Sequence, residues 1–305
     1  MHSSDQKRVA VLMATYNGEC WIEEQLKSII EQKDVDISIF ISDDLSTDNT
    51  LNICEEFQLS YPSIINILPS VNKFGGAGKN FYRLIKDVDL ENYDYICFSD
   101  QDDIWYKDKI KNAIDCLVFN NANCYSSNVI AYYPSGQKNL VDKAQSQTQF
   151  DYFFEAAGPG CTYVIKKETL IEFKKFIINN KNAAQDICLH DWFLYSFART
   201  RNYSWYIDRK PTMLYRQHEN NQVGANISFK AKYKRLGLVR NKWYRKEVTK
   251  IANALANALA DDSFVNNQLG KGYIGNLILA LSFWKLRRKK ADKIYILLML
   301  ILNIF

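Results

Sequence analysis

This 305-residue chain has no C-x-x-C pair, no Cys/His ligand spacing and no long apolar span. Its seven cysteines (20, 54, 97, 116, 124, 161 and 188) are scattered and odd in number, which weighs against a disulfide framework. Several sit inside apolar runs and are expected as buried free thiols in a reducing compartment. Residues 1–8 are polar and lack the apolar region of a secretory signal, so the catalytic part is expected in the cytoplasm. Strong charge is missing too: a net +5 requires no nucleic-acid partner, and where the basic residues sit matters more. Histidine is scarce, with three in the chain. Apolar residues at 47% and aromatics at 14% exclude a disordered chain. The length suits one large α/β domain with a C-terminal extension, or two small domains.

What is present is a series of short apolar runs, each ending in a polar loop. Residues 9–14 read as a buried parallel strand closing on Thr15-Tyr16-Asn17-Gly18-Glu19. Residues 37–41 form a second, closing on Ser42-Asp43-Asp44, and residues 64–68 a third, leading into Asn72-Lys73-Phe74-Gly75-Gly76-Ala77-Gly78-Lys79. A fourth, 95–98, delivers Ser99-Asp100-Gln101-Asp102-Asp103-Ile104-Trp105. Between them fall a helix with Trp21, Ile22, Leu26, Ile29 and Ile30 on one face, and another carrying Leu51, Ile53, Cys54 and Phe57 behind the capping stretch 46–50. Four such alternations predict an open, mainly parallel sheet with helices on both faces. Ligands of such sheets lie beyond the strands' carboxyl ends, where all four loops fall.

Taken singly, the loops have ordinary explanations. Asn17-Gly18 makes a turn, residues 43–48 make a helix cap, and the glycines at 75, 76 and 78 match a phosphate-binding loop only loosely. The three carboxylates at 100, 102 and 103 are different, because they repel one another beside an apolar strand. A divalent cation held by oxygen ligands and shared with a phosphate would relieve that repulsion. Together the loops favour a nucleotide-diphosphate site.

In order and spacing, the loops at 15–19, 42–48 and 99–105 resemble those of family 2 glycosyltransferases with the GT-A fold. The resemblance implies a Rossmann-like α/β domain, expected over residues 1–225. It implies a nucleotide-sugar site made by Thr15, Tyr16, Asn17, Glu19, Asp43, Asp44 and Asn72, with Asp100 and Gln101 facing the donor. Asp102 is implied to hold Mg²⁺ or Mn²⁺, with Asp103 and Trp105 as further candidates. Lys79 falls where many relatives carry an Arg near the diphosphate. The Asp-Gln-Asp-Asp-Ile-Trp form is most similar to bacterial rhamnosyltransferase-type members. It implies dTDP-rhamnose or a UDP-hexose as donor, a saccharide acceptor, inversion, and a place in surface-polysaccharide synthesis.

Downstream, residues 107–119 read as a helix with Ile110, Ile114, Leu117 and Val118 inward. Residues 129–133 read as a strand, and 137–149 as a mobile polar loop over the site. Gly158-Pro159-Gly160 is either a tight turn or, by the resemblance, a wall near acceptor and donor sugar, with Gly160 a candidate. His190-Asp191-Trp192 opens an apolar helix, where an acid suits the helix dipole. The resemblance makes Asp191 the catalytic base, ionised near pH 7 without a large pKa shift. His190, a candidate with Trp192, stands where an acid is more usual. His218 follows Arg216 at a strand end and is either structural or, as the resemblance implies, a third metal or diphosphate ligand.

The last third, residues 226–305, changes character. Residues 230–250 hold nine Lys/Arg against the single acid Glu247. Residues 270–288 suit an amphipathic helix with Ile274, Leu277, Ile278, Leu281 and Trp284 on one side. Six basic residues from Lys285 to Lys293 then precede an apolar tail. As a helix that tail is about 18 Å long, short of the ~30 Å hydrocarbon core, so it is not expected to span. The expectation is a helical, membrane-associating extension on the inner face of the plasma membrane, fitting a lipid-linked acceptor. Packing on the domain or a homo-oligomer contact is the alternative. A nucleic-acid patch is disfavoured, since no recognised motif accompanies the charge. Two other readings compete for the whole chain: an inactive nucleotide-sugar-binding scaffold, and a phosphoacceptor or phosphatase domain. The second places its nucleophilic acid after the first strand, where this chain has Thr15-Tyr16-Asn17.

Overall fold

The computed structural model describes residues 6–70, 72–180, 186–218, 242–256 and 263–305. Strand β1 (Lys7–Thr15) is central because residues 9–14 are apolar without interruption and so can be buried on both faces. It pairs in parallel with β2 (Val35–Asp43) on one side and β4 (Tyr95–Ser99) on the other, and β3 (Ile65–Ile67) extends the sheet beyond β2. Beyond β4 come β9 (Val164–Lys166), antiparallel to both neighbours, then β6 (Cys124–Ser127) and β10 (Trp205–Asp208). The resulting seven-stranded order is β10-β6-β9-β4-β1-β2-β3.

Side-chain alternation along β1 and β4 divides the interior in two. Val9, Val11, Met13, Tyr95 and Cys97 face α1 (Ile22–Ile30) and α4 (Lys109–Phe119), with Leu26, Ile29, Ile110 and Leu117 in the same cluster. Ala10, Leu12, Ile96 and Phe98 face α3 (Ala77–Asp87), α6 (Lys167–Asn179) and α7 (His190–Thr200). Helix α2 (Thr50–Ser60) packs beside β3, and Asp48 accepts the N–H of Thr50 at its start. The short helix α5 (Asp151–Phe154) lies against α7.

A second sheet, β5-β11-β7-β8, is built from β5 (Ile104–Trp105), β7 (Val129–Tyr132), β8 (Lys138–Val141) and β11 (Met213–Arg216). Part of the expected mobile loop at 137–149 is therefore a strand, because residues 138–141 pair antiparallel with 129–132. Val118 points outward at 65% exposure, since α4 turns its Ile110–Ile114–Leu117 stripe inward and Val118 falls off it. Four cysteines (54, 97, 124 and 161) are buried free thiols as expected, whereas Cys20 and Cys188 are exposed.

The C-terminal helices α8 (Trp243–Leu255), α9 (Ser263–Leu269), α10 (Gly272–Ala280) and α11 (Lys290–Ile301) follow. Val248, Leu279, Leu300 and Phe305 belong to the same core cluster as Phe81 and Phe193. The long amphipathic helix expected over 270–288 ends at Ala280 and gives way to a 3-10 turn at Phe283–Lys285. Its predicted apolar side is the outer one: Ile274, Leu277, Leu281 and Trp284 are exposed, while Gly275, Asn276, Leu279 and Ala280 pack inward. Gly275 permits this, as a Cβ there would lie 1.8 Å from the Gln268 carbonyl. Much of the basic stretch at 230–250, and the boundary expected at 225, lie outside the described residues.

Candidate active site

Register sets the site. Thr15 lies beside Asp43, and Met13 beside Ser99, so the loops after β1, β2 and β4 open on one sheet edge. These loops are cross-tied. Asp43 accepts from the Thr15 hydroxyl (2.8 Å) and from both the N–H (2.7 Å) and hydroxyl (2.6 Å) of Ser46. Asn17 accepts the N–H of Thr47 at 2.8 Å, and Glu19 that of Asn49 at 2.8 Å. Gln101 braces the first loop in both directions, accepting the Tyr16 N–H (2.7 Å) and donating to its carbonyl (2.9 Å). Gly18 lies against that amide, where a Cβ would come within 2.4 Å of Gln101 Cδ.

Asp44 accepts the N–H groups of Phe74, Gly75 (2.9 Å) and Gly76 (3.3 Å). The glycine-loop amides therefore already hold a carboxylate, in keeping with their loose match to a phosphate loop. Gly75 (φ +78°) and Gly76 (φ +154°) turn their amides this way in a backbone region that costs glycine little. Lys73 stands 4.6 Å over the Tyr16 ring and donates to its hydroxyl.

The loops wall a cleft of about 1060 Å³, at the upper end of the ~300–1,000 Å³ range usual for small-molecule sites. Thr15, Tyr16, Asn17, Asp44, Asp100, Gln101, Asp102, Gly160, His190, Asp191, Trp192 and His218 of the expected residues all border it. Glu19, Asp43, Asn72, Lys79, Asp103, Trp105 and Arg216 do not. Asn72 and Lys79 are exposed and away from the cleft, whereas Lys73, ahead of α3, borders it. Trp105 is buried below the acidic loop, with the Lys109 ammonium 3.7 Å above its ring.

Within the acidic loop the three carboxylates part company. Asp102 meets His218 Nε2 at 2.6 Å, and the His218 ring stacks on Trp21 at 4.0 Å. Trp21, read only as a helix-face residue, thus holds His218 from behind. Asp100 borders the cleft, and burial together with the charges of Asp102 and Asp191 pushes its pKa up to about 7. Asp103 is fully buried and accepts the Arg216 N–H at 3.2 Å; burial and its two acidic neighbours hold its carboxyl well above the usual range. Arg216 clamps the loop further through the Asp102 carbonyl (2.9 Å) and Glu24. Beneath the loop, Asp100, Asp103 and Cys161 offer ligand atoms within 4.8 Å of one another. On the cleft side, Asp102 and His218 offer an oxygen and a nitrogen of the kinds that Mg²⁺ or Mn²⁺ accepts, and the structure pairs the two directly with each other.

Asp191, in the first turn of α7, borders the same cleft. Burial pushes its pKa up to about 6, against the expectation of an ordinary carboxylate, although the Trp192 N–H at 2.8 Å works the other way. A base with a pKa just below neutrality remains ionised at pH 7 and accepts a proton more readily than an exposed Asp. Trp192 is fixed by donating its indole N–H to the Tyr152 carbonyl (2.9 Å) and by stacking on Tyr244 of α8. The C-terminal helices are thereby joined to the helix that carries Asp191. Arg288 strengthens the join, pairing with Asp151 at 2.9 Å while Arg199 of α7 pairs with the same carboxylate at 3.1 Å.

The mixed α/β sheet with a cleft at its strand-end loops has the GT-A fold of solved glycosyltransferases. The glycosyl transferase family 2 profile matches residues 10–198, and the chain belongs to that family. It is 98% identical over 293 residues to the dTDP-rhamnosyl transferase RfbG of Shigella flexneri, covering 96% of this chain and all of that one. It is 27% identical over 169 residues to an Escherichia coli UDP-Glc:alpha-D-GlcNAc-diphosphoundecaprenol beta-1,3-glucosyltransferase, over 55% of this chain and 63% of the relative. Among solved structures, S. aureus TarS (residues 1–349, with UDP-GlcNAc) superposes with a TM-score of 0.56 at 15% identity, over 97% of this chain and 91% of that one. The Pyrobaculum calidifontis mannosyltransferase PcManGT, with GDP-Man and Mn²⁺, gives 0.54 at 15%, over 99% and 86%. Both likenesses concern the fold. Family membership displaces the phosphoacceptor reading.

Proposed function

We propose that this chain transfers rhamnose from dTDP-rhamnose to a saccharide acceptor in bacterial surface-polysaccharide synthesis, with inversion at the anomeric carbon. The observation that carries the chemistry is the placing of Asp191 and the Asp102–His218 pair in one cleft. The donor rests on the 98% identity to a dTDP-rhamnosyl transferase. In this reading, Thr15, Tyr16 and Asn17 bind the nucleoside, and Asp100 and Gln101 border the donor. Asp102 and His218 would hold a divalent Mg²⁺ or Mn²⁺, which would supply positive charge near the departing diphosphate. Asp191 accepts the acceptor hydroxyl's proton at its carboxylate as that oxygen attacks the face opposite the diphosphate. Trp192 and Gly160 wall the place where this happens and keep water from the sugar. The test is turnover by purified protein with a panel of nucleotide sugars and Mg²⁺ or Mn²⁺. Preferred use of a UDP-hexose would reject the donor assignment.

The acceptor is proposed to be lipid-linked, and the enzyme to work peripherally at the inner face of the plasma membrane. No helix among the described residues is long and apolar enough to cross a membrane. The outer faces of α10 and α11 and the turn between them instead leave Ile274, Leu281, Trp284, Ile294, Tyr295 and Leu298 exposed. Lys285, Lys289, Lys290 and Lys293 interrupt this apolar surface, and each basic residue near an anionic leaflet contributes about 1 kcal/mol. Flotation with phosphatidylglycerol vesicles tests this. Unchanged flotation of a Leu281→Ser/Trp284→Ser/Leu298→Ser variant would remove the surface from the reading.

A further inference from the structure

His190 has a nitrogen that the protein does not use. Its ring stacks on Phe81 at 4.0 Å and meets Phe98 edge-on at 5.2 Å, so two aromatic side chains fix its plane. The residue is only 8% exposed, and burial depresses its pKa to about 3, which leaves the imidazole uncharged at any working pH. Nε2 is buried with no hydrogen-bond partner within the protein, and native interiors rarely leave such a group without one, be it a water, an ion or a ligand. That nitrogen faces Gly160: a Cβ built there would lie 3.2 Å from His190 Nε2 and 2.9 Å from Asp191 Cβ. Only a glycine lets the 158–160 turn pack this closely on the nitrogen and on Asp191, and all three residues border the cleft.

The occupant must offer a hydrogen-bonding group beside the atom whose proton Asp191 accepts. Ring hydroxyls of a sugar do this, and a neutral imidazole bonds a hydroxyl as either donor or acceptor. An acid in this position would set a second carboxylate against Asp191, whose own pKa burial has already raised. We propose that His190 Nε2 hydrogen-bonds a ring hydroxyl of the sugar held at Asp191, making it a sugar-reading residue. The inference rests on the glycosyl-transfer reading above. The hydroxyl can belong to the donor sugar or to the acceptor, and the two arms of the test separate these sources.

The test crosses His190→Phe, which keeps the aromatic stack and removes the nitrogen, with donors and acceptors each lacking one hydroxyl. Wild-type turnover on the complete sugars checks the reaction itself. The cycle is then run with whichever nucleotide sugar is turned over. His190→Phe is expected to lower kcat/KM for the complete sugars about 10- to 100-fold, as loss of one buried hydrogen bond does in a site built for it. With one particular deoxy sugar the wild type should fall by a similar factor, and His190→Phe should fall no further. A deoxy donor behaving so assigns the bond to the donor, and a deoxy acceptor assigns it to the acceptor. His190→Gln, which restores a neutral hydrogen-bonding group, should recover part of the loss and guards against a folding defect in the Phe variant. A constant ratio between wild type and His190→Phe across every deoxy sugar would mean that the ring only packs, and would overturn the proposal.

Discussion

The loop after β2 and the helix start at 190–192 both place aspartates at or beside one cleft, but the balance of burial and hydrogen bonding differs between them. Asp43 and Asp44 are buried yet saturated by hydroxyls and backbone N–H groups, two contacts from Ser46 and three from the glycine loop. Asp191 is half-buried, and at its carboxylate desolvation outweighs the backbone N–H groups of Trp192, Asp191 and Gly160, so its pKa rises to about 6. The same residue type is thus locked into the loop scaffold in one place and left with a raised pKa at the cleft, as the proposed base requires, in the other. The acidic loop after β4 contains both cases, with Asp103 turned into the protein and Asp100 and Asp102 toward the cleft.

The sharpest break in that comparison is Asp191→Asn. It keeps the shape and removes the base, so kcat should fall by about 10³-fold, within the range general-base loss produces, while donor affinity stays near wild type. Unchanged kcat would place the base elsewhere. The wild-type pH profile should agree. Asp191 must be ionised to accept a proton, and its carboxyl protonates below a pKa of about 6. With metal and donor saturating, rate should therefore hold above pH 7 and drop tenfold per unit well below pH 6. A limb near pH 4 would indicate an ordinary, solvated carboxylate.

Asp102→Ala should come next. Losing the carboxylate that meets His218 is expected to weaken Mn²⁺-supported donor binding by at least ~100-fold, as removal of metal-borne charge does, with little change in metal-free binding. Calorimetric titration with and without Mn²⁺ measures both, and equal affinities would separate Asp102 from any metal. A scaffold residue should behave differently. Asp44→Ala frees three part-buried amides, each hydrogen bond to a charged group being worth at most about 1.5–3 kcal/mol. The expected signature is a lower Tm and about tenfold weaker donor binding, with kcat nearly intact. A kcat loss equal to that of Asp191→Asn would erase the distinction between the two classes of aspartate.

Sequence reading located the strand ends well because each is an apolar run stopped by a polar loop, a signal carried within a few residues. It also found the acids at 100–103 and 191. Other parts of the site depend on contacts distant in the chain. Trp21 reaches His218 across nearly two hundred residues, and its sequence context says only that it starts a helix. The second sheet escaped notice because β5 and β8 are two and four residues long and exist through their partners. The outward turn of Ile274 and Leu281 went against the usual rule that the apolar side of a helix packs. Gly275 and Ala280, on the other side, allow closer approach to the protein.

The smallest expected effect concerns Lys79, and it discriminates between position in a motif and position in space. By its place in the sequence Lys79 belongs near the diphosphate, but in α3 its side chain is exposed and does not border the cleft. Lys73 borders the cleft, with its ammonium over Tyr16. An exposed charge remote from its partner is screened at physiological salt beyond a Debye length of about 8 Å. Lys79→Ala should therefore change donor KM by less than about twofold, while Lys73→Ala should raise it several-fold, a loss comparable to about 0.5–1 kcal/mol of exposed cation–π contact. Donor KM measured on both variants at two ionic strengths decides between them. A larger effect at Lys79 would mean that α3 shifts toward the diphosphate when donor binds.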